Sequence, residues 1–557
     1  MAKIDLEKII LVIFIIAMFY LGPGILFGHK IKHDFPFGYF ASDAFQHQVR
    51  AEAIKDAGNF KYEAEYISLG IENSEGRHPP VIYHLAIILS YASGIEVYDS
   101  IYFMTAFFAI IAALIMYLII RNFSKTVALL SLPLSMLIFS FPVSLGYLYG
   151  HWPSLLAQSF LILFFWSIMK ADLDKSFILV GILLSATALT HTSSTIFAVI
   201  FLAIFFGMKL LVKKLNIKDL KNIALSLIVF LVVSFYYLVI FMNTWYKAQP
   251  YSFWAMPVWE GNPGFYIAGF GLLLIPMIFG IIFSFSKIKD LYVPFILAYT
   301  MLIAGFLNYA GFDVRSFQVR FFWPIYFSIF FGFGIYVFFK FIIKKWNFVY
   351  TSIIVLILLI FISGIIKLPI LKQTDNQVIP SIPYINRGTN QGVMNQLHWE
   401  ALKWLSENTE KDAKIYFFYG DIYTQDALLR NSKRVHYQVN PDDFIKALQD
   451  REIKRSYISE LPGDSGGSIV ARTGFFSFED STKDKPIEYF FGPKDICNFN
   501  YLVFDKVSGQ EVLAKYNILI AQELLKKDFI NPVFENDFIV ILKNNNLGAD
   551  CIEERSF

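Results

Sequence analysis

Long apolar runs dominate the first two thirds of the chain. Windows near 9–27, 101–120, 127–145, 153–169, 176–191, 195–212, 223–243, 264–286, 291–308, 321–340 and 348–366 are apolar on every helical face. Crossing roughly 30 Å of hydrocarbon takes about 20 such residues, so the pattern predicts about eleven transmembrane helices. The first run follows Lys3 and Lys8, shows no small-residue cleavage site and precedes further spans. It therefore reads as a retained signal anchor. No internal repeat stands out.

After Ile366 the pattern changes. Residues 368–395 are rich in Pro, Asn, Gln and Gly and read as a linker. In 398–412, Trp399, Leu402 and Leu405 recur at helical spacing. Lys414–Tyr419, Tyr501–Val507 and Asp537–Leu542 read as strands, and 510–526 as a second helix. Three regions follow: a transmembrane domain 1–367 with a first outer loop 28–100, the linker 368–395, and an α/β domain 396–557 of roughly 160 residues, enough for its own core.

The stretch 79–95 decides the topology. It is short, opens on Pro79-Pro80 and carries His84. If it does not cross, the loops holding Arg121/Lys125, Lys170/Lys175, Lys209 to Lys221, Lys287/Lys289 and Lys340 to Lys345 share one side with the N-terminus. About sixteen basic residues then lie inside, against about three in the short outer loops, as the positive-inside rule requires. If it crosses, every later loop inverts. The stretch is therefore expected to be a juxtamembrane or partly inserted helix, with the N-terminus cytoplasmic and the C-terminal domain extracytoplasmic.

Composition narrows the class. Hydrophobic residues make up 56% and charged residues 17% of 557, against roughly 25% charged in soluble proteins, which excludes a soluble enzyme, a disordered chain and a coiled coil. A net charge of +3 gives no reason to expect a nucleic-acid partner. The 60 Phe and 31 Tyr suit a lipid-embedded bundle. Two cysteines, Cys497 and Cys551, allow one disulfide at most.

The spans carry almost no ionisable groups, whereas ion-driven carriers place such groups near the midplane. The polar candidates gather instead at the expected outer face. FASDAFQHQVRAEAIKDAGNF (40–60) reads as a helix ending near Gly58, with Asp43 and His47 one turn apart on one face and Arg50 two turns from Asp43. Asp43 could be a general base toward a sugar hydroxyl, a ligand with His47 for a divalent cation such as Mg or Mn, or, with Ser42, a plain helix cap. Glu75 precedes Arg77-His78-Pro79-Pro80, where cations at headgroup depth would suit a lipid phosphate; a snorkelling Arg beside a helix-starting proline pair is the plainer alternative. SLGYLYGHWPS (144–154) offers His151, with Trp152 read as an interfacial anchor. Asp313, Arg315 and Arg320 precede a span on the same side, where positive charge runs against the topological bias; anion binding or an Arg–Asp loop lock would each account for it. His191 is expected to make a structural hydrogen bond.

This layout resembles the GT-C membrane glycosyltransferases. The residues that carry the likeness are the first-loop Asp43, the juxtamembrane Arg77-His78-Pro79-Pro80, the late Arg315 or Arg320, and the outer C-terminal domain. The resemblance implies a polytopic α-helical GT-C-like membrane protein with juxtamembrane helices and a C-terminal extracytoplasmic α/β domain. It also implies a catalytic Asp43 and donor-phosphate contacts from Arg77, His78, Arg315 and Arg320; the residues themselves, apart from the resemblance, offer His47, His151 and Glu75 as further possible site or metal residues. WEALKWLSENTEKDAKIYFFYGD (399–421) is similar to archaeal oligosaccharyltransferase catalytic subunits, and with the Lys/Ile/Phe-rich usage it suggests an archaeal plasma membrane. Two features depart from those enzymes. Phe417-Phe418-Tyr419-Gly420-Asp421 stands where a Trp-Trp-Asp-Tyr-Gly motif would fall, and 144–154 holds no acidic pair. The implied partners are a polyprenyl- or dolichyl-phosphate-linked sugar donor, membrane lipids, and a glycan, lipid or protein acceptor. Inverting transfer of one sugar is the leading expectation. Transfer of a whole lipid-linked glycan to protein, and a non-enzymatic lipid or polysaccharide transporter or glycan-binding scaffold, are the alternatives.

Overall fold

The computed structural model describes residues 6–67, 74–75, 78–140, 143–170, 176–248, 269–307, 321–343, 349–365, 372–373, 376–377, 394–418, 426–438, 454–456, 475–477, 496–507 and 511–549. In chain order the longer helices are α1 (Leu6–Phe19), α2 (Ser42–Ala57), α3 (Val81–Ser93), α4 (Val97–Arg121), α5 (Lys125–Ser135), α6 (Trp152–Met169), α7 (Ser176–Ala188), α8 (Ser194–Leu211), α9 (Ile217–Ala248), α10 (Leu274–Ser284), α11 (Val293–Gly305), α12 (Ser328–Val337), α13 (Val349–Ile365), α14 (Gln396–Asn408) and α15 (Glu511–Leu524). The chain divides into two compact units, one of residues 1–32 and 77–390, the other of 33–76 and 391–557.

The first unit is a helical membrane bundle. Among the described residues seven helical stretches are long and apolar enough to cross a bilayer, from Leu6–Gly24 to Trp323–Phe341. Shorter apolar helices lie at 125–139, 176–188, 293–305 and 349–358, overlapping the other four windows expected to span. Helix α5 sits inside the bundle, buried throughout from Val127 to Ser135. Ser131 turns its Oγ back to Val127 O at 2.8 Å, which satisfies a hydroxyl that lipid could not. Helices α10 and α12 press backbone to backbone. A Cβ on Gly280 would lie 1.7 Å from Phe330 O, and one on Gly334 1.9 Å from Pro276 O, so only glycine allows this approach. By contrast α9 exposes Leu231, Val232 and Phe235, as a lipid-facing helix does. At its first turn α1 buries Glu7, which accepts from Tyr117 Oη and pairs with Arg121 Nε at 2.6 Å and Lys125 Nζ at 2.5 Å.

Helix α3 occupies the stretch on which the topology turns. Pro80 caps its start and Gly94, at φ +70°, ends it. Its 13 residues reach about 20 Å at ~1.5 Å per residue, short of the roughly 30 Å hydrocarbon core. Ile82, Tyr83, Ala86 and Ile87 are buried, while Ile88 and Tyr91 are exposed.

The second unit holds a five-stranded sheet of β1 (Lys414–Phe417), β2 (Val435–Gln438), β3 (Tyr501–Asp505), β4 (Ile530–Glu535) and β5 (Ile539–Asn544), in the order β4-β5-β3-β1-β2. The β2, β1 and β3 strands run parallel, and β5 and β4 join antiparallel. Tyr416, Phe418, Leu502, Phe504 and Ile520 build its core. Asn395 caps α14 by accepting from His398 N at 2.9 Å. Cys497 is disulfide-bonded, and Cys551 lies outside the described residues. The segment 33–76, grouped from sequence with the membrane domain as part of the loop 28–100, clusters with residues 391–557. Most of the expected linker 368–395 lies outside the described residues.

Candidate active site

The site is built outward from α2. Its sequence, SDAFQHQVRAEAIKDA, has no wide apolar stripe, so its buried faces need polar partners as well as core contacts. Ala41 precedes it in extended conformation and makes no side-chain cap. Ser42 and Asp43 are thus helical residues of the first turn and not the cap, and a carboxylate there is favoured by the helix dipole. Asp43 is exposed at this first turn, and the side chain of Ser42 lies outside the described residues. His47, one turn on, is buried. Arg50 is also buried and donates through Nε to Glu63 Oε1 at 3.0 Å. Glu63 belongs to a two-residue ladder in which Tyr62 faces Glu75 and Glu63 faces Ser74. Arg50 therefore braces the helix against the backbone that carries Glu75.

The opposite side of α2 is held by the C-terminal portion. Gln48 Nε2 donates to Asn431 Oδ1 at 2.8 Å and to Glu52 Oε1 at 2.7 Å. Lys433 Nζ reaches Asp56 Oδ2 at 2.7 Å and Glu52 Oε2 at 3.8 Å. Burial pulls the Lys433 pKa down, but the Glu52 and Asp56 carboxylates outweigh it and hold it above the ordinary value. Val49, Ala53 and Ile67 form a small apolar cluster beside these contacts. Tyr66 stands in the same acidic surroundings, its phenol pushed up by burial and then by Asp56 and Glu52. None of Gln48, Glu52, Asp56, Asn431 and Lys433 stands out from sequence. The four-residue spacing of Gln48, Glu52 and Asp56 was the available signal, since it lines them along one face.

The first unit carries the remaining described candidates. His78 is half-buried just ahead of Pro79-Pro80. His151 caps the start of α6, and its ring stacks on Phe321 at 5.4 Å and 25°. Phe321 directly follows Arg320 in the chain. Trp152 corrects the expectation of an interfacial anchor. It is fully buried, donates to Tyr147 O at 2.7 Å and stacks on Tyr102 at 5.6 Å, because protein, not headgroups, surrounds that end of α6. His191 Nδ1 lies 3.0 Å from Ser194 Oγ, the structural contact expected of it. Arg77, Asp313, Arg315 and Arg320 lie outside the described residues, and only the backbone of Glu75 is described. Among the described residues no three His, Cys, Asp or Glu side chains gather as metal ligands.

No family model matches the sequence, and no curated protein matches it. Solved structures do. The Archaeoglobus fulgidus oligosaccharyltransferase in its apo form superposes with a TM-score of 0.55 at 12% identity, covering 97% of this chain and 89% of that one. This is a GT-C fold. The same enzyme tethered to an acceptor peptide containing the NVT sequon matches at TM-score 0.51, with 13% identity over 97% of this chain and 89% of that one. Its complex with Zn and sulfate matches at 0.51, with 12% identity over 96% and 88%. The GT-C likeness thus runs through the bundle and the α/β portion alike, in a chain whose helices make it a multi-pass membrane protein.

Proposed function

We propose that the protein is an inverting membrane glycosyltransferase that takes a sugar from a polyprenyl- or dolichyl-phosphate carrier on the extracytoplasmic face. The observation that carries the reading is α2: within a GT-C fold, it sets a carboxylate in the first turn of a helix braced on both sides, by Arg50–Glu63 and by Gln48–Asn431. Asp43 accepts the proton of the acceptor hydroxyl as that oxygen bonds to the anomeric carbon from the face opposite the carrier. The bond from the anomeric carbon to the phosphate oxygen breaks, and the lipid phosphate leaves with the electron pair. Arg77, His78 and Arg315 or Arg320 stabilise the charge that grows on it. The positive-inside distribution supports the orientation, and so does the disulfide at Cys497, which suits an oxidising exterior.

Reconstitution in liposomes with a polyprenyl-phosphate hexose tests the proposal. Asp43→Asn should cut transfer by about 10²–10⁴-fold while melting as the wild type does; an unchanged rate refutes it. Loss of activity to a chelator, restored by Mg or Mn, would assign Asp43 and His47 a divalent cation. Transfer of a whole lipid-linked glycan to an Asn-containing peptide is the second reading, favoured by the match to a peptide-tethered oligosaccharyltransferase. Supplying both donor types separates the two. Movement of lipid without any transfer would point to a transporter.

A further inference from the structure

A cavity of about 230 Å³ opens at the basic-loop end of the first unit. It is walled by the C-terminal ends of α4, α6 and α8 and the N-terminal ends of α7, α9 and α11. Among the described lining residues, Lys209 is the one cation and Asp219 the one anion. The two pair at 3.0 Å. Asp219 is fully committed, since its second oxygen accepts from Asn216 N at 3.2 Å, and the Asn216 side chain accepts in return from Asp219 N at 2.8 Å. Lys209 is not: an ammonium has three donors, one goes to Asp219, and the group lies 5.3 and 5.7 Å from the ring centres of Phe205 and Phe206. The helix ends contribute no net field, since three C-termini oppose three N-termini, so the Lys209 ammonium is the anion-seeking group, and Asn122 and Asn222 line the wall beside it.

Size and surroundings narrow the ligand. Sites for drug-sized molecules take roughly 300–1,000 Å³, so this cavity suits a headgroup whose remainder lies outside. Next in the chain to lining residues, Ile178 and Leu179 on α7, Leu210 on α8 and Leu227 on α9 are exposed apolar side chains. Beyond them Lys170, Lys213, Lys214, Lys218 and Lys221 make the loop face basic. We propose that the cavity binds the phosphate-bearing headgroup of a membrane lipid from the leaflet these loops face, with Lys209 donating to the phosphate and the acyl chains lying on α7, α8 and α9. The proposal is independent of the glycosyl-transfer reading.

Native mass spectrometry of the full chain in detergent, titrated with phosphatidylglycerol, tests it. Lys209→Gln should weaken retention about tenfold, the loss of one charge-assisted contact. Lys209→Arg should restore it, and Asp219→Asn should strengthen it by releasing the ammonium. Asn222→Trp fills the cavity at unchanged charge and should abolish retention. Glycerol 3-phosphate should fail to compete; if it competes as well as the lipid, the site takes free phosphate and the proposal falls. A photoreactive phosphatidylglycerol on the wild-type protein should label residues 176–180 or 205–226, and labelling confined to other segments would overturn it whatever the variants do. Wild-type retention in folded Lys209→Gln would overturn it equally.

Discussion

Replacing Asn431 with Ala should loosen α2 from the C-terminal portion. Asn431 is 4% exposed and makes two buried hydrogen bonds, accepting from Gln48 Nε2 at 2.8 Å and donating to Leu428 O at 2.9 Å. A buried hydrogen bond is worth about 1 kcal/mol net, so the pair should cost about 2 kcal/mol. Gln48 keeps Glu52 as a partner, so its amide nitrogen is not stranded. Two kcal/mol corresponds to roughly a 30-fold rise in the opening equilibrium. Hydrogen exchange read by mass spectrometry should show α2 peptides exchanging about 30-fold faster, with β3 and β5 unchanged. A double-mutant cycle with Gln48→Ala should return a coupling of about 1 kcal/mol. Coupling near zero, or unaltered α2 exchange, would refute the argument that this contact positions the helix. If α2 carries the base, transfer should fall in the same variant while Asp43 stays intact.

Glu7→Gln should also destabilise the protein. The carboxylate is buried and faces Tyr117, Arg121 and Lys125, but both cations are 48% exposed, so the cost is about 1–2 kcal/mol and not the 3–5 kcal/mol of a fully buried broken pair; melting in detergent checks it. Alkaline pH should act through Lys433 and Tyr66. The Lys433 pKa lies above its unfolded value of about 10.4, so its contribution is whole below that pH and is lost as pH rises through the folded value. The Tyr66 phenol is also raised, so ionising it opposes the fold in the same direction. Melting temperatures should hold from pH 7 to about 9 and fall beyond about 10, and the fall should shrink in Lys433→Met; an equal fall in that variant would refute the assignment. At the low end Glu410, held below the usual carboxylate range by its own backbone N–H, then Tyr501 and Lys543, should loosen the β3–β5 side as pH drops below about 4. Exchange of strand amides there reads it.

Much of the scaffold was legible without coordinates. Apolar runs marked the helices because a segment in lipid must bury every backbone group within itself. Strand and helix expectations for Lys414–Tyr419, 398–412 and 510–526 fell on β1, α14 and α15 within a few residues. The β2 and β4 strands were missed, since short segments carry too little alternation to separate from loops. Trp152 was misplaced because an aromatic at a span end has the same sequence signature whether headgroups or protein surround it.

The chain's own chemistry determined that it lives in a membrane, which loops gather positive charge, and that an acid stands in the first turn of a polar helix. All three are local properties, set by transfer free energy, charge count and a four-residue repeat. Tertiary structure decided what that helix leans on. Gln48 meets Asn431 across 383 positions of chain, and Lys209 meets a cavity walled by six helix ends. Such pairings depend on how distant segments close in space, and no periodicity along the chain encodes that distance.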